Sequence, residues 1–186
     1  MSLEGKTVVL GVTGSIAAYK APTLARKLQS KGAEVIVVMT EAGAKLVDPL
    51  TFRSLTGKPV PVDMFAPVTD WQIEHISLAE KADMFLIAPA TANTIGKIAH
   101  GIADTLLTCA VMATRAPVLI APAMNVNMYE NPIVQENIER LQELGYYFVE
   151  PKVGKLATGI EGRGALADVD DVVERAEELL RAGDCL

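Results

Sequence analysis

Residues 121–132 read APAMNVNMYENP, which sets Met124, Asn125, Asn127 and Met128 within five positions between two prolines. Polar loops are common after strands, but methionine is an unusual residue for an exposed turn, which marks this loop as a candidate site. A second polar group is Thr91, Asn93 and Thr94, in the stretch 88–108, APATANTIGKIAHGIADTLLT. Alone it reads equally well as an Asx or Ser/Thr capping cluster. With the helix opening at Ser15 and Ile16, it makes two polar helix openings on neighbouring strands, which favours a shared ligand over either cap by itself.

The third group is GVTGSIAAYKAP, residues 11–22. Gly11 and Gly14 allow close backbone approach, and Ser15 and Ile16 open the next helix, so free N–H groups and the helix dipole could hold a phosphate. The other reading is a glycine-rich turn without a ligand. A dinucleotide would want a third glycine and an acid at the end of the second strand, but that strand ends at Thr40. A mononucleotide phosphate therefore fits better. The last candidate is His75, in DWQIEHISLAEKAD, residues 70–83. A lone histidine is commonly a surface or satisfied core residue; Ile73, Ile76 and Leu78 give this one an apolar setting suited to a base near neutral pH. His100, followed by Gly101, is the weaker of the two histidines.

Apolar, β-branched runs at 7–12, 34–39, 84–88, 117–121 and 146–149 read as strands. Their hydrophobicity is continuous rather than alternating, as expected for parallel strands covered on both faces. Helical patterns span 21–31, with Gly32 as its stop, 95–113, 132–144 with Pro132 in its first turn and Gly145 after it, and 168–180, for which Asp168 is the expected N-cap. Strand and helix alternate, so one doubly wound α/β domain over 1–186, Rossmann- or flavodoxin-like, is expected, with ligands at the carboxyl ends of its strands. The stretch 152–168 carries Gly154, Gly159, Gly162 and Gly164 and reads either as a mobile lid or as an ordinary surface loop.

Half of the 186 residues are apolar, which excludes disordered and low-complexity classes. A net charge of -6 and a pI of about 5.0 argue against nucleic acid or an anionic membrane as partner. Cys109 and Cys185, with two histidines, form neither a disulfide scaffold nor a metal-ligand spacing. No apolar run is long enough to span a bilayer, and the N-terminus lacks a signal-peptide pattern, so a cytoplasmic protein is expected.

Together, GVTGSIAAYKA, EHISLAEKADMFLIAPATANTIGKIAHGIADTLLT and APAMNVNMYENP resemble the homo-oligomeric flavin-containing cysteine decarboxylase family, and within it the phosphopantothenoylcysteine decarboxylases of coenzyme A biosynthesis. The resemblance runs from about Lys6 to Leu180. It implies FMN as cofactor, with Gly14, Ser15, Ile16 and Thr40 at its phosphate and ribityl groups, Thr91, Ala92, Asn93 and Thr94 continuing the cradle, and Ala123 beside the ring. It implies His75 as the active-site histidine, Asn125 on the substrate carboxylate and Met128 beside it. The implied reaction oxidises the cysteine moiety of 4′-phosphopantothenoylcysteine to a thioaldehyde-like species, loses CO₂ to give an enethiol, and reduces that to 4′-phosphopantetheine. Homotrimers or dodecamers, with sites at protomer contacts, and a fused or separate phosphopantothenate-cysteine ligase are implied as partners.

One position departs from the family pattern. Where its lid carries an acid cysteine, in Leu-Ala-Cys-Gly, this chain has Leu156-Ala157-Thr158-Gly159. A threonine hydroxyl is a far poorer proton donor than a thiol. Arg163 keeps a cation available in the same stretch for a phosphate or carboxylate. Full decarboxylation through Thr158, water or another donor stands beside three alternatives: an enzyme that stops at the enethiol, an engineered cysteine replacement that traps an intermediate, and a non-catalytic flavin-binding partner subunit. A flavin prenyltransferase of similar fold is disfavoured by the Asn125 signature.

Overall fold

The computed structural model describes residues 2–65, 74–155 and 161–183. Five parallel strands, β1 (Thr7–Val12), β2 (Glu34–Met39), β3 (Met84–Ala90), β4 (Val118–Pro122) and β5 (Tyr147–Phe148), form one sheet in the order β2-β1-β3-β4-β5. This is the expected doubly wound α/β architecture. Val8, Leu10, Leu86 and Leu119 point to one apolar cluster and Val9, Phe85, Ile87 and Ile120 to the other, which is why the strands read as unbroken apolar runs. Each such side chain, fully removed from water, contributes roughly 1.5–3 kcal/mol.

The helices are α1 (Ala21–Ser30), α2 (Glu41–Ala44), α3 (Pro49–Thr56), α4 (Glu74–Lys81), α5 (Ala92–Ala99), α6 (Leu106–Ala113), α7 (Val126–Tyr129), α8 (Pro132–Glu143) and α9 (Val169–Gly183). A 3₁₀ turn, Ile16–Lys20, precedes α1. Gly32 and Gly145 take positive φ just past α1 and α8, as the sequence predicts. The single helix expected over 95–113 is instead two, α5 and α6. Gly101, at φ 68°, ends the first, and Thr105 opens the second through a capping box with Thr108. Asp168 directly precedes α9, and its carbonyl accepts from the Val172 N–H, but its carboxylate is bound to Lys152. The stretch expected as a lid forms an antiparallel hairpin, β6 (Lys152–Lys155) and β7 (Glu161–Ala165). Thr158 lies outside the described residues.

Glu177 of α9 is buried, 7% exposed, and gathers Ser2, Lys31 and Arg181. The Ser2 hydroxyl, then Lys31 and Arg181, hold its carboxyl below the usual carboxylate range. A depressed folded pKa stabilises above the unfolded value of about 4.5 and loses that contribution as pH falls through the folded one. Glu177→Gln is expected to lower unfolding free energy by roughly 1–2 kcal/mol at neutral pH. In urea titrations across pH, the gap from the parent should narrow below about 4.5; a constant gap would assign the loss to packing instead.

Candidate functional site

The carboxyl ends of β1, β3 and β4 open into a cleft of about 1170 Å³, beside the β1/β3 position where strand order reverses. Gly14, Ser15 and Ile16 form one wall, Thr91 and Ala92 a second, and Ala123, Met124, Asn125 and Met128 a third. The β6–β7 hairpin contributes Lys152, Val153, Gly154, Gly164 and Ala165. A smaller cleft of about 520 Å³ adjoins it, sharing Gly14, Thr91 and Met128, and carries Thr40, Asn93 and Thr94. The structure thus gathers residues from four strand ends that the sequence had offered separately.

The polar side chains are also helix caps. Ser15 accepts from the Ala17 N–H (3.4 Å), Thr40 from Gly43 (3.1 Å) and Thr91 from Thr94 (3.3 Å). A hydroxyl that accepts at its oxygen still carries a proton to donate, although the Thr91 and Thr94 hydroxyls share one bond at 3.2 Å. The two readings of these positions, cap and ligand, are therefore chemically compatible. Asn125 behaves likewise. Its Oδ1 accepts from the Asn127 N–H (2.9 Å) and caps α7, which fixes the amide orientation and leaves Nδ2 as a donor on a cleft-lining residue. Asn127 does not cap the following helix; it lies inside α7, and Asn131 caps α8.

Gly14 has a structural cause. A Cβ there would meet the Ala42 Cβ at 2.5 Å, so the loop after β1 packs directly on α2. Thr13, fully buried, ties that loop to the next strand end: its hydroxyl donates to the Pro89 carbonyl (2.7 Å) and accepts from the Thr91 N–H (3.1 Å). The one local signal of this clamp in the sequence is a threonine directly before Gly14, just past the end of β1.

The remaining candidates lie elsewhere. His75 is half-buried on α4, which packs on α6, and is not among the described residues lining either cleft. Arg163 on β7 is likewise outside the described lining, 3.7 Å from Glu150. Glu150 also accepts from the Tyr129 hydroxyl at 3.0 Å. Burial first, and then this bond, pushes the Tyr129 hydroxyl up to about 12, so it stays a donor. The charged residues that do line the main cleft are Lys20, Lys152 and Asp168. None of the three is singled out by the sequence pattern as a site residue. Among the described residues no His/Cys/Asp/Glu group could hold a metal ion.

A family model described as Flavoprotein matches residues 1–181. The chain belongs to the flavoprotein family. The coenzyme A biosynthesis bifunctional protein CoaBC of Bacillus subtilis is 48% identical over 95% of the chain, which spans only 43% of that relative's length. A probable phosphopantothenoylcysteine decarboxylase of Streptococcus mutans is 45% identical over 94% of the chain and 99% of the relative. Among solved structures, the FMN-dependent cysteine decarboxylase SpaF is 34% identical, covers 98% of the chain and 99% of its own, and superposes with a TM-score of 0.85. In this flavoprotein the hydroxyl-rich strand ends and the Asn125 loop face one shared opening. No helix among the described residues is long and apolar enough to cross a membrane.

Proposed function

We propose that the chain catalyses the FMN-dependent decarboxylation of 4′-phosphopantothenoylcysteine to 4′-phosphopantetheine. One observation carries the reading: Asn125, its Oδ1 committed to the Asn127 N–H, lines the same cleft as the Ser15 and Thr91 hydroxyls. That donor set fits FMN. Gly14, Ser15, Ile16, Thr40, Thr91, Ala92, Asn93 and Thr94 would hold its phosphate and ribityl groups, with Ala123 beside its ring. When bound, FMN supplies two-electron oxidation and, later, reduction.

The chain's own residues then handle charge and protons. The Asn125 Nδ2 donates to the substrate carboxylate and orients it for departure. An arginine would stabilise that carboxylate more strongly and so oppose the loss of its charge as CO₂. Met128 packs beside it. His75 orients or deprotonates the cysteine moiety, and the final proton comes through Thr158, water or another donor. With His75 outside the described lining, the cleft is completed by a neighbouring copy. Ile16, Tyr19 and Val153, each more than 60% exposed at the cleft, supply apolar surface for that contact. We take the assembly to be the homotrimer or dodecamer that the family resemblance implies, in the cytoplasm, and the bifunctional relative supports a fused or separate ligase as partner.

The purified protein is expected to be yellow with an FMN spectrum; a colourless protein that takes up no added FMN would refute the reading. Mass spectrometry after incubation with 4′-phosphopantothenoylcysteine resolves the rest. Phosphopantetheine shows full turnover, a product two hydrogens lighter shows arrest at the enethiol, and unchanged substrate in a flavin-loaded protein marks a binding subunit.

A further inference from the structure

The main cleft carries two cations, Lys20 and Lys152, and one anion, Asp168, among its described lining residues. They come from three elements: the end of the 3₁₀ turn, strand β6 of the hairpin, and the residue before α9. Lys152 is bound to Asp168, yet both side chains stay well exposed, 40% and 60%. An ion pair this open to water is worth little and exchanges partners readily. Lys20 lines the same cleft as this pair, and Lys152, then Lys20, hold the Asp168 carboxyl below its usual range. A chain of net charge -6 thus carries a locally positive place in the same opening that holds Asn125.

Resting on the decarboxylase reading above, we propose that Lys152, with Lys20 from a second element, forms the subsite for the phosphate monoester end of the substrate, with Asp168 as the counter-ion that the phosphate displaces. Asn125 then takes the carboxylate end, and the two anionic ends of the substrate are read by different means. A neutral amide holds the group that must lose its charge. Ammonium groups hold the one that keeps it. A phosphate dianion outbids one carboxylate for two ammonium groups because it brings twice the charge and three acceptor oxygens.

The test compares 4′-phosphopantothenoylcysteine with pantothenoylcysteine, which lacks the phosphate, on the flavin-loaded protein. Lys152→Gln is expected to raise KM for the phosphorylated substrate about tenfold, to leave kcat within about twofold, and to change KM for the dephosphorylated one less than about twofold. Lys152→Arg should restore most of the difference. The phosphate preference of the parent should also shrink as ionic strength rises. Equal effects of Lys152→Gln on both substrates, or none on either, would overturn the inference while leaving the decarboxylase reading intact. A parent protein that turns over neither substrate would remove that reading and this inference with it.

Discussion

Asparagine in place of His75 is expected to lower CO₂ release at saturating substrate by at least about a hundredfold, the lower end of what a positioned acid–base group contributes, while bound flavin is retained. Asparagine preserves a hydrogen-bonding group of similar reach but cannot accept a proton. His75 sits on α4, away from the described cleft lining, so its loss should not disturb the Ser15, Thr40 and Thr91 caps that would hold FMN. The two readouts are flavin absorbance and CO₂ release. Activity within about tenfold of the parent would remove His75 from the chemistry. Its placement gives a second expectation. If the site is shared between copies, mixing and reassembling inactive His75→Asn with inactive Asn125→Leu should regain activity, because some contacts then join an intact His75 to an intact Asn125. No regain would place both residues at one copy's site.

The sheet was legible because burial on both faces leaves no polar alternation to misread: Met84, Phe85, Leu86 and Ile87 are all fully buried. The break between α5 and α6 was not. Ile95, Ile98, Leu106, Leu107 and Val111 carry one apolar pattern across it, and Gly101 looks tolerable inside a helix until Thr105 is seen to start a new one. Residue types also located the cleft, since amides and hydroxyls at strand ends are few. They could not separate cap from ligand, because Ser15, Thr91 and Asn125 use one atom for the backbone and keep another for a partner. Lys152 and Asp168 were invisible as a pair for a different reason. Their meeting depends on the β6–β7 register, which sets Lys152 opposite Ala165, and the same hairpin folds onto the Asn125 loop through the Gly164–Met124 contact, which no local spacing encodes.

That contact makes Gly164→Ala the second substitution with a large expected effect. A Cβ at Gly164 would lie 2.4 Å from the Met124 carbonyl oxygen, a backbone atom that cannot turn aside. The same segment is joined by the Met124 N–H, which donates to the Gly164 carbonyl at 2.9 Å. Gly162 faces Val126 in the same way, though there the obstacle is a side chain that can yield. Relief of the clash must move β7 off the loop or move the loop itself, and Asn125 follows Met124 directly. Displacing a positioning group by about 1 Å costs up to about a hundredfold, so kcat/KM should fall by about ten- to a hundredfold. The hairpin lies outside the five-stranded sheet, and overpacking of this kind costs about 1–3 kcal/mol. The midpoint of thermal unfolding should therefore drop by only roughly 2–12 °C, with the protein still folded at assay temperature. Gly154→Ala is the matched control on the partner strand, where the added Cβ would meet the Ala165 Cβ at an ordinary 3.9 Å. It should leave kcat/KM within about twofold, since an ordinary van der Waals contact forces no shift. If both variants lose activity alike, hairpin sensitivity is general and the Gly164–Met124 contact does not set the position of Asn125. If only Gly164→Ala loses it, the backbone contact is what aims the amide at the departing carboxylate.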